Sequence, residues 1–253
     1  MDSKHKVKSA EYFNSLDWES INTPRDWFEN DLNLSHAINT LGIIIPETEL
    51  FILKVLSTCK HKIKSPDVLN NIDQFIAEEQ SHSLQHTRFN KEIEKNGYNI
   101  KKPRKFIRFI YNIIQNVFSD KMLLAMAVGL EHNTIVCSKY ALERFFHQQH
   151  DSEICDLFIW HCSEEMEHSN FLHNVYKDVG GRYLTRVLSM TFISILNTIF
   201  FIYMVVGYIL KDKKEKRVCS TRFSILKFYF LPKGMLHRTY RHYFSMFKFN
   251  YDP

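Results

Sequence analysis

Glu49, Glu79-x-x-His82, Glu131 and Glu165-x-x-His168 follow one another along this chain, each inside a stretch whose apolar spacing predicts a helix. A His three residues after a Glu lies one turn further along the same helix face, so each Glu-x-x-His offers a carboxylate and an imidazole to one cavity. A carboxylate can bridge two cations. A lone Glu, then Glu-x-x-His, then the same again is the donor set of a four-helix bundle that holds two metal ions. The metal donors expected are therefore Glu49, Glu79, His82, Glu131, Glu165 and His168, with Glu79 and Glu165 as the bridging, catalytic carboxylates. His86 and His161 each stand one turn from a Glu-x-x-His pair, and are either further nitrogen donors or partners of the donors.

The helices needed to place these groups can be read in turn. Pro46 suits a helix N-terminus, so the first helix is expected from Pro46 to about Lys62. At about 100° per residue, Ile52, Leu53, Leu56, Cys59 and Ile63 share a face centred on Glu49, with Glu47 on the far side. An unpaired buried carboxylate costs several kcal/mol, so an inward Glu49 calls for a cation or a proton. The second helix follows Ser65-Pro66 and runs from about Asp67 to Lys95. Glu79, His82 and His86 continue the apolar face that Ile72, Phe75 and Ile76 open, whereas Glu78 falls about 100° away from Glu79.

The third ligand helix, about Asp120 to His147, sets Glu131 among Leu124, Ala127, Val128, Ile135 and Leu142, and puts His132 on the polar side with Lys121 and Lys139. The fourth, about Asp151 to Asp178, contains Trp160-His161-Cys162-Ser163-Glu164-Glu165-Met166-Glu167-His168. Glu164 and Glu165 flank the apolar face about equally, and periodicity does not choose between them. Glu165 is preferred because it alone repeats the Glu-x-x-His of the second helix. Any one of these residues alone would read as an ordinary solvated side chain. The order and the matched pairs carry the metal reading against that of a structural helical protein with surface carboxylates.

At these positions the chain resembles the predicted metal-dependent hydrolases of ferritin-like helical type. The resemblance covers Pro46-x-x-Glu49-x-Phe51, then Phe75-Ile76-x-Glu78-Glu79-x-x-His82-x-x-x-His86-x-x-x-Asn90, then Leu130-Glu131-His132 and Trp160-His161-x-x-Glu164-Glu165-x-Glu167-His168. Thr48 stands where that family usually has Gly and Glu78 where it has Gln, and Phe249-Asn250-Tyr251-Asp252-Pro253 only loosely echoes a terminal Phe-His-Pro. The resemblance implies an all-α fold with a ferritin-like four-helix bundle and a di-metal centre. The same donors also look like those of di-iron oxygenases.

Three functions use such a centre. Two Fe(II) ions can activate dioxygen to attack an apolar or lipid-like substrate, which needs an electron donor. The same pair can lower the pKa of a water toward about 7 for hydrolysis of an ester, amide or phosphoester. An iron-binding protein without turnover would share the ligands. Carboxylate-rich ligation with imidazoles suits iron, with manganese next, and no Ser-His-Asp, Walker or Gly-rich nucleotide signature competes. Five cysteines without a C-x-x-C spacing support neither a disulfide framework nor a zinc knuckle. Of the thirteen histidines, His5, His36, His61 and His150 stand in polar sequence and read as surface residues.

Outside the ligand segments, residues 1–45 read as an N-terminal cap of loops and short turns, 46–180 as the di-metal bundle, and 181–253 as an apolar helix with a basic, aromatic-rich tail. The polar start, Met1 to Lys8, is not that of a secretory signal, so a cytoplasmic location is expected. Phe106 to Phe118 predicts an apolar helix that crosses the bundle's end or lies on a membrane. Val187 to Leu210 carries no charge, and at 1.5 Å per residue its length of about 36 Å matches a hydrocarbon core. It reads as a span, an inserted segment or a buried core helix. The basic Lys211 to Arg217 and the net charge of +5 would favour an anionic lipid surface, although an exposed solvated tail is the simpler reading, and they fit nucleic acid less well because no recognition motif accompanies them.

Overall fold

The structure is a computed structural model and describes residues 7–145, 152–217, 223–232 and 234–251. His5, His150, Cys219, Asp252, Pro253 and the expected helix end at His147 lie outside them. Every regular element among the described residues is helical, with no strand. In chain order they are α1 (Ala10–Ser15), α2 (Leu32–Cys59), α3 (Pro66–Lys95), α4 (Lys101–Val117), α5 (Asp120–Phe145), α6 (Glu153–Glu167), α7 (Phe171–Asp178), α8 (Tyr183–Lys214), α9 (Ser224–Phe230) and α10 (Met235–Tyr243), with short 3₁₀ turns after α2 and α10.

The first long helix departs from the expectation at its start. It begins at Leu32, not Pro46, so part of the stretch read as loops and short turns is regular helix. Asp31 caps it by accepting from the Leu34 N–H at 3.0 Å. Pro46 therefore sits in the helix interior, where it has no N–H for the carbonyl of Gly42 four residues back. The Asn90 side-chain amide of α3 donates to that carbonyl at 3.0 Å. Gly42 also lacks a Cβ that would stand 2.8 Å from the Phe89 ring. Three of the polar residues in 32–45 are buried and partnered. Ser35 Oγ accepts from the Phe28 N–H, Asn39 Oδ1 accepts from the Trp27 indole, and His36 meets Asp212 of α8 at 2.5 Å. His36 is thus a core residue and not a surface one, while His61 is exposed as expected.

α2, α3, α5 and α6 with α7 form the bundle, in which α5 touches α2, α6, α7, α8 and α10. α8 lies along α5 and α2. Its approach requires Gly129, since a Cβ there would stand 2.9 Å from the Met190 Cα. α4 does not cross the bundle's end but packs along the outer side of α2. Arg104 and Arg108 bind the buried carboxylate of Glu47 at 2.8 Å each. The fourth ligand helix is not continuous: α6 stops at Glu167, and Ser169-Asn170 make a turn before α7. Side chains of this kind compete with the helix for backbone hydrogen bonds.

The substitution Asn90→Ala should leave the buried Gly42 carbonyl without a donor and cost about 1–3 kcal/mol in urea denaturation. Adding Pro46→Ala should recover part of that loss, because residue 46 then has an N–H for the same carbonyl. Equal stability of the single and double variants would refute the assignment.

Candidate metal centre

Each ligand segment delivers its groups to one interior. Glu49 comes from α2, Glu79 and His82 from α3, Glu131 from α5, His161 and Glu165 from α6, and His168 from the residue that ends α6. Glu49, Glu79, His82, Glu131, His161 and Glu165 are all 3% exposed or less. Their donor atoms form overlapping groups in which every atom lies within 4.8 Å of the others: Glu49, His82, His161 and Glu165; Glu79, His82 and His168; and Glu79, Glu131, Glu165 and His168. Glu165, Glu79, His82 and His168 each belong to two groups, so the donors make one continuous cluster of three overlapping groups.

The imidazoles are oriented by what their other nitrogen touches. His82 Nε2 lies 2.9 Å from Glu164 Oε2 and so donates to it, leaving Nδ1 aimed at Glu165 Oε1, 3.8 Å away. His161 Nδ1 lies 2.7 Å from His86 Nε2, while its Nε2 reaches Glu165 Oε1 at 2.7 Å and Glu49 Oε1 at 3.9 Å. His168 Nδ1 is 3.3 Å from Glu131 and 3.9 Å from Glu79. His86 is thus set behind His161 and outside the three groups. An imidazole held by a neighbouring acceptor presents a fixed lone pair to a metal.

Burial separates Glu164 from Glu165. Glu165 is 2% exposed and sits among the donors. Glu164 is partly exposed, and its two oxygens are occupied by the Trp160 indole N–H at 2.6 Å and by His82. Sequence reasoning weighed Glu164 only as a competitor. The Trp160-x-x-x-Glu164 spacing, which puts the two on one face, was the signal for its positioning role. His132 also departs from its expected polar side: it is buried beneath the C-terminal tail, accepting from the Tyr251 O–H at 3.0 Å and donating to the Tyr243 carbonyl at 3.0 Å. Burial, countered in part by that carbonyl, pushes it down to about 4.

The electrostatics of the centre call for cations. Burial first, and the neighbouring Glu165 charge next, raise Glu49, Glu79 and Glu131, the last to about 7. Burial followed by the surrounding imidazoles lowers His82. Burial would lower His168 too, but the Glu131 carboxylate and the charge of Glu165 outweigh it and hold it at about 9. Both oxygens of Glu49, one each of Glu79 and Glu165, and Nδ1 of His82 find no hydrogen-bond partner among the described residues. Such buried acceptors are otherwise costly, and these residues fit bound metal cations.

A family model described as predicted metal-dependent hydrolase matches residues 14–253. No curated protein and no solved structure matches the chain.

These shifts set the pH response of the metal-free protein. Below about 6.5, the gain from deprotonating His82 and His86 with rising pH opposes the loss from the buried carboxylates. Above it only losses remain: Glu131 and His168, with folded values of about 7 and about 9, hold protons that the unfolded chain has released. Stability without metal should therefore fall from about pH 6.5 to 9, and fall less with iron or manganese bound, because the cations replace those protons. Thermal melts with and without chelator across this range test it.

Proposed function

This chain belongs to the predicted metal-dependent hydrolase family, and on that premise we propose that it is a non-haem di-metal enzyme whose bound ions are iron. The observation that carries this reading is the set of three overlapping donor groups, joined through Glu79, His82, Glu165 and His168 and lined by acceptors with no hydrogen-bond partner among the described residues. Glu49, His82, His161 and Glu165 would hold one ion, and Glu79, Glu131 and His168 the other, with the Glu165 carboxylate within reach of both sets. Four carboxylates with imidazoles suit iron best and manganese next.

Reduced iron, when bound, supplies the chemistry of dioxygen activation toward an apolar or lipid-like substrate, with electrons from a separate donor. The chain's own residues prepare the site for it. Glu164 fixes His82 with Nδ1 turned inward, and the 2.7 Å contact between His86 Nε2 and His161 Nδ1 sets the second ring with its Nε2 toward the carboxylates; with a metal on that Nε2, Nδ1–H would donate to His86, which burial holds well below the usual imidazole range. Trp160 and Phe75 close over His82 and His168, with ring centroids at 5.0 and 5.2 Å. They keep bulk water from the centre. The family description favours a second reading, hydrolysis by a metal-activated water. In either reading we place the protein in the cytoplasm at a membrane surface and assign it no nucleic-acid partner.

Protein expressed with ample iron should carry about two ions per chain, and the double substitution Glu79→Ala, Glu165→Ala should lose both in elemental analysis. A wild-type chain that stays metal-free ends the di-metal reading. Reduced, iron-loaded protein should consume dioxygen in an oxygen electrode. Turnover of a generic ester under strict anaerobiosis, without oxygen uptake on reduction, would select hydrolysis.

A further inference from the structure

α8 is long and apolar enough to cross a membrane, yet it is packed along one side for its whole length. Arg186, Met190, Ser194, Met204, Tyr208 and Asp212 are buried against the bundle from one end of the helix to the other. Asn133 of α5 bonds Ser194, His36 of α2 bonds Asp212, and Arg186 donates to the carbonyls of Met246 and Lys248. A spanning α8 would drag these polar contacts, and the Glu47–Arg108 pair beside them, into hydrocarbon.

The other side of the helix is different. Leu188, Phe192, Ile195, Ile199, Ile202 and Val206 form one stripe, 43–60% exposed. α4 runs antiparallel beside it. Phe118 meets Phe192, Tyr111 donates to Asn197 at 2.6 Å, and Phe106 meets Phe200. Phe106, Phe109, Ile113 and Val117 add a second exposed stripe, spaced for one face of α4. Together the two stripes make an apolar face far beyond the scattered exposed residues of an ordinary soluble surface. The antiparallel pairing also brings the start of α4 and the end of α8 to one end of this face. Lys102 and Lys105 of α4 and Lys213 and Lys214 of α8 are all exposed there.

We propose that the α4–α8 face docks onto, and does not cross, a lipid leaflet carrying anionic headgroups. The stripes enter the acyl boundary and the lysines at their common end meet the headgroups. This deepens the membrane location proposed above and rests on it, but is independent of the metal chemistry, so metal content and lipid binding are separate readouts.

The test is sedimentation of the full-length, metal-loaded protein with preformed vesicles of phosphatidylcholine alone or mixed with phosphatidylserine. Wild type should pellet with the mixed vesicles and transfer to a second vesicle population added later, as a docked protein does and a spanning one does not. Ile195→Glu with Ile199→Glu should stay in the supernatant. Replacing Lys102, Lys105, Lys213 and Lys214 with Gln should lower binding to the mixed vesicles by about fivefold for each lysine engaged. All of these positions are exposed, and each variant should keep the wild-type melt and metal content. The proposal is overturned if wild type ignores both vesicles, if it pellets but never transfers, or if it is a dimer that the Ile195→Glu, Ile199→Glu variant dissociates, which would assign the face to a second copy of the chain.

Discussion

Four carboxylates, Glu49, Glu79, Glu131 and Glu165, share one water-poor interior, and the rest of the molecule is arranged around that constraint. Like charges at such distances in low dielectric repel strongly, so the cluster holds protons or cations. The imidazoles of His82, His161 and His168 stand among the carboxylates, and His82 is held neutral by burial and by its imidazole neighbours, free to offer a lone pair. The surrounding aromatics, Phe75, Phe158, Trp160 and Phe171, seal the cluster while keeping each ring at a fixed angle.

Rigidity follows from how few groups are left to choose their own position. Glu164 is occupied twice over, by Trp160 and His82, and His86 is turned by His161. The break after Glu167 lets His168 leave the helical path at the residue where it approaches Glu131 and Glu79. A continuous helix through Asp178 would fix His168 at the orientation of the preceding turn. The C-terminal tail reaches the same neighbourhood from outside, through Tyr251 on His132, the residue next to Glu131.

What the sequence made legible were the features that depend on local spacing. The two Glu-x-x-His pairs and the apolar faces around Glu49 and Glu131 are statements about three and four residue intervals, and helices honour them. What it concealed depends on residues far apart in the chain. Pro46 reads as a start because a helix interior cannot supply its missing bond, and only Asn90, on another helix, shows how the bond is replaced. His36 reads as surface because Asp212 is remote in sequence, and Glu164 cannot be told from Glu165 until His82 arrives beside it. The orientation of α8, half packed and half bare, was hidden because an uncharged run looks alike whichever side is covered.

Glu47 and Glu49 leave α2 from opposite sides of a single turn. One is gripped by Arg104 and Arg108 of α4, and the other stands in the carboxylate cluster. That single turn therefore sets the Glu47–arginine contact that fastens α4 and a carboxylate of the innermost cluster one helix width apart, with no loop between them.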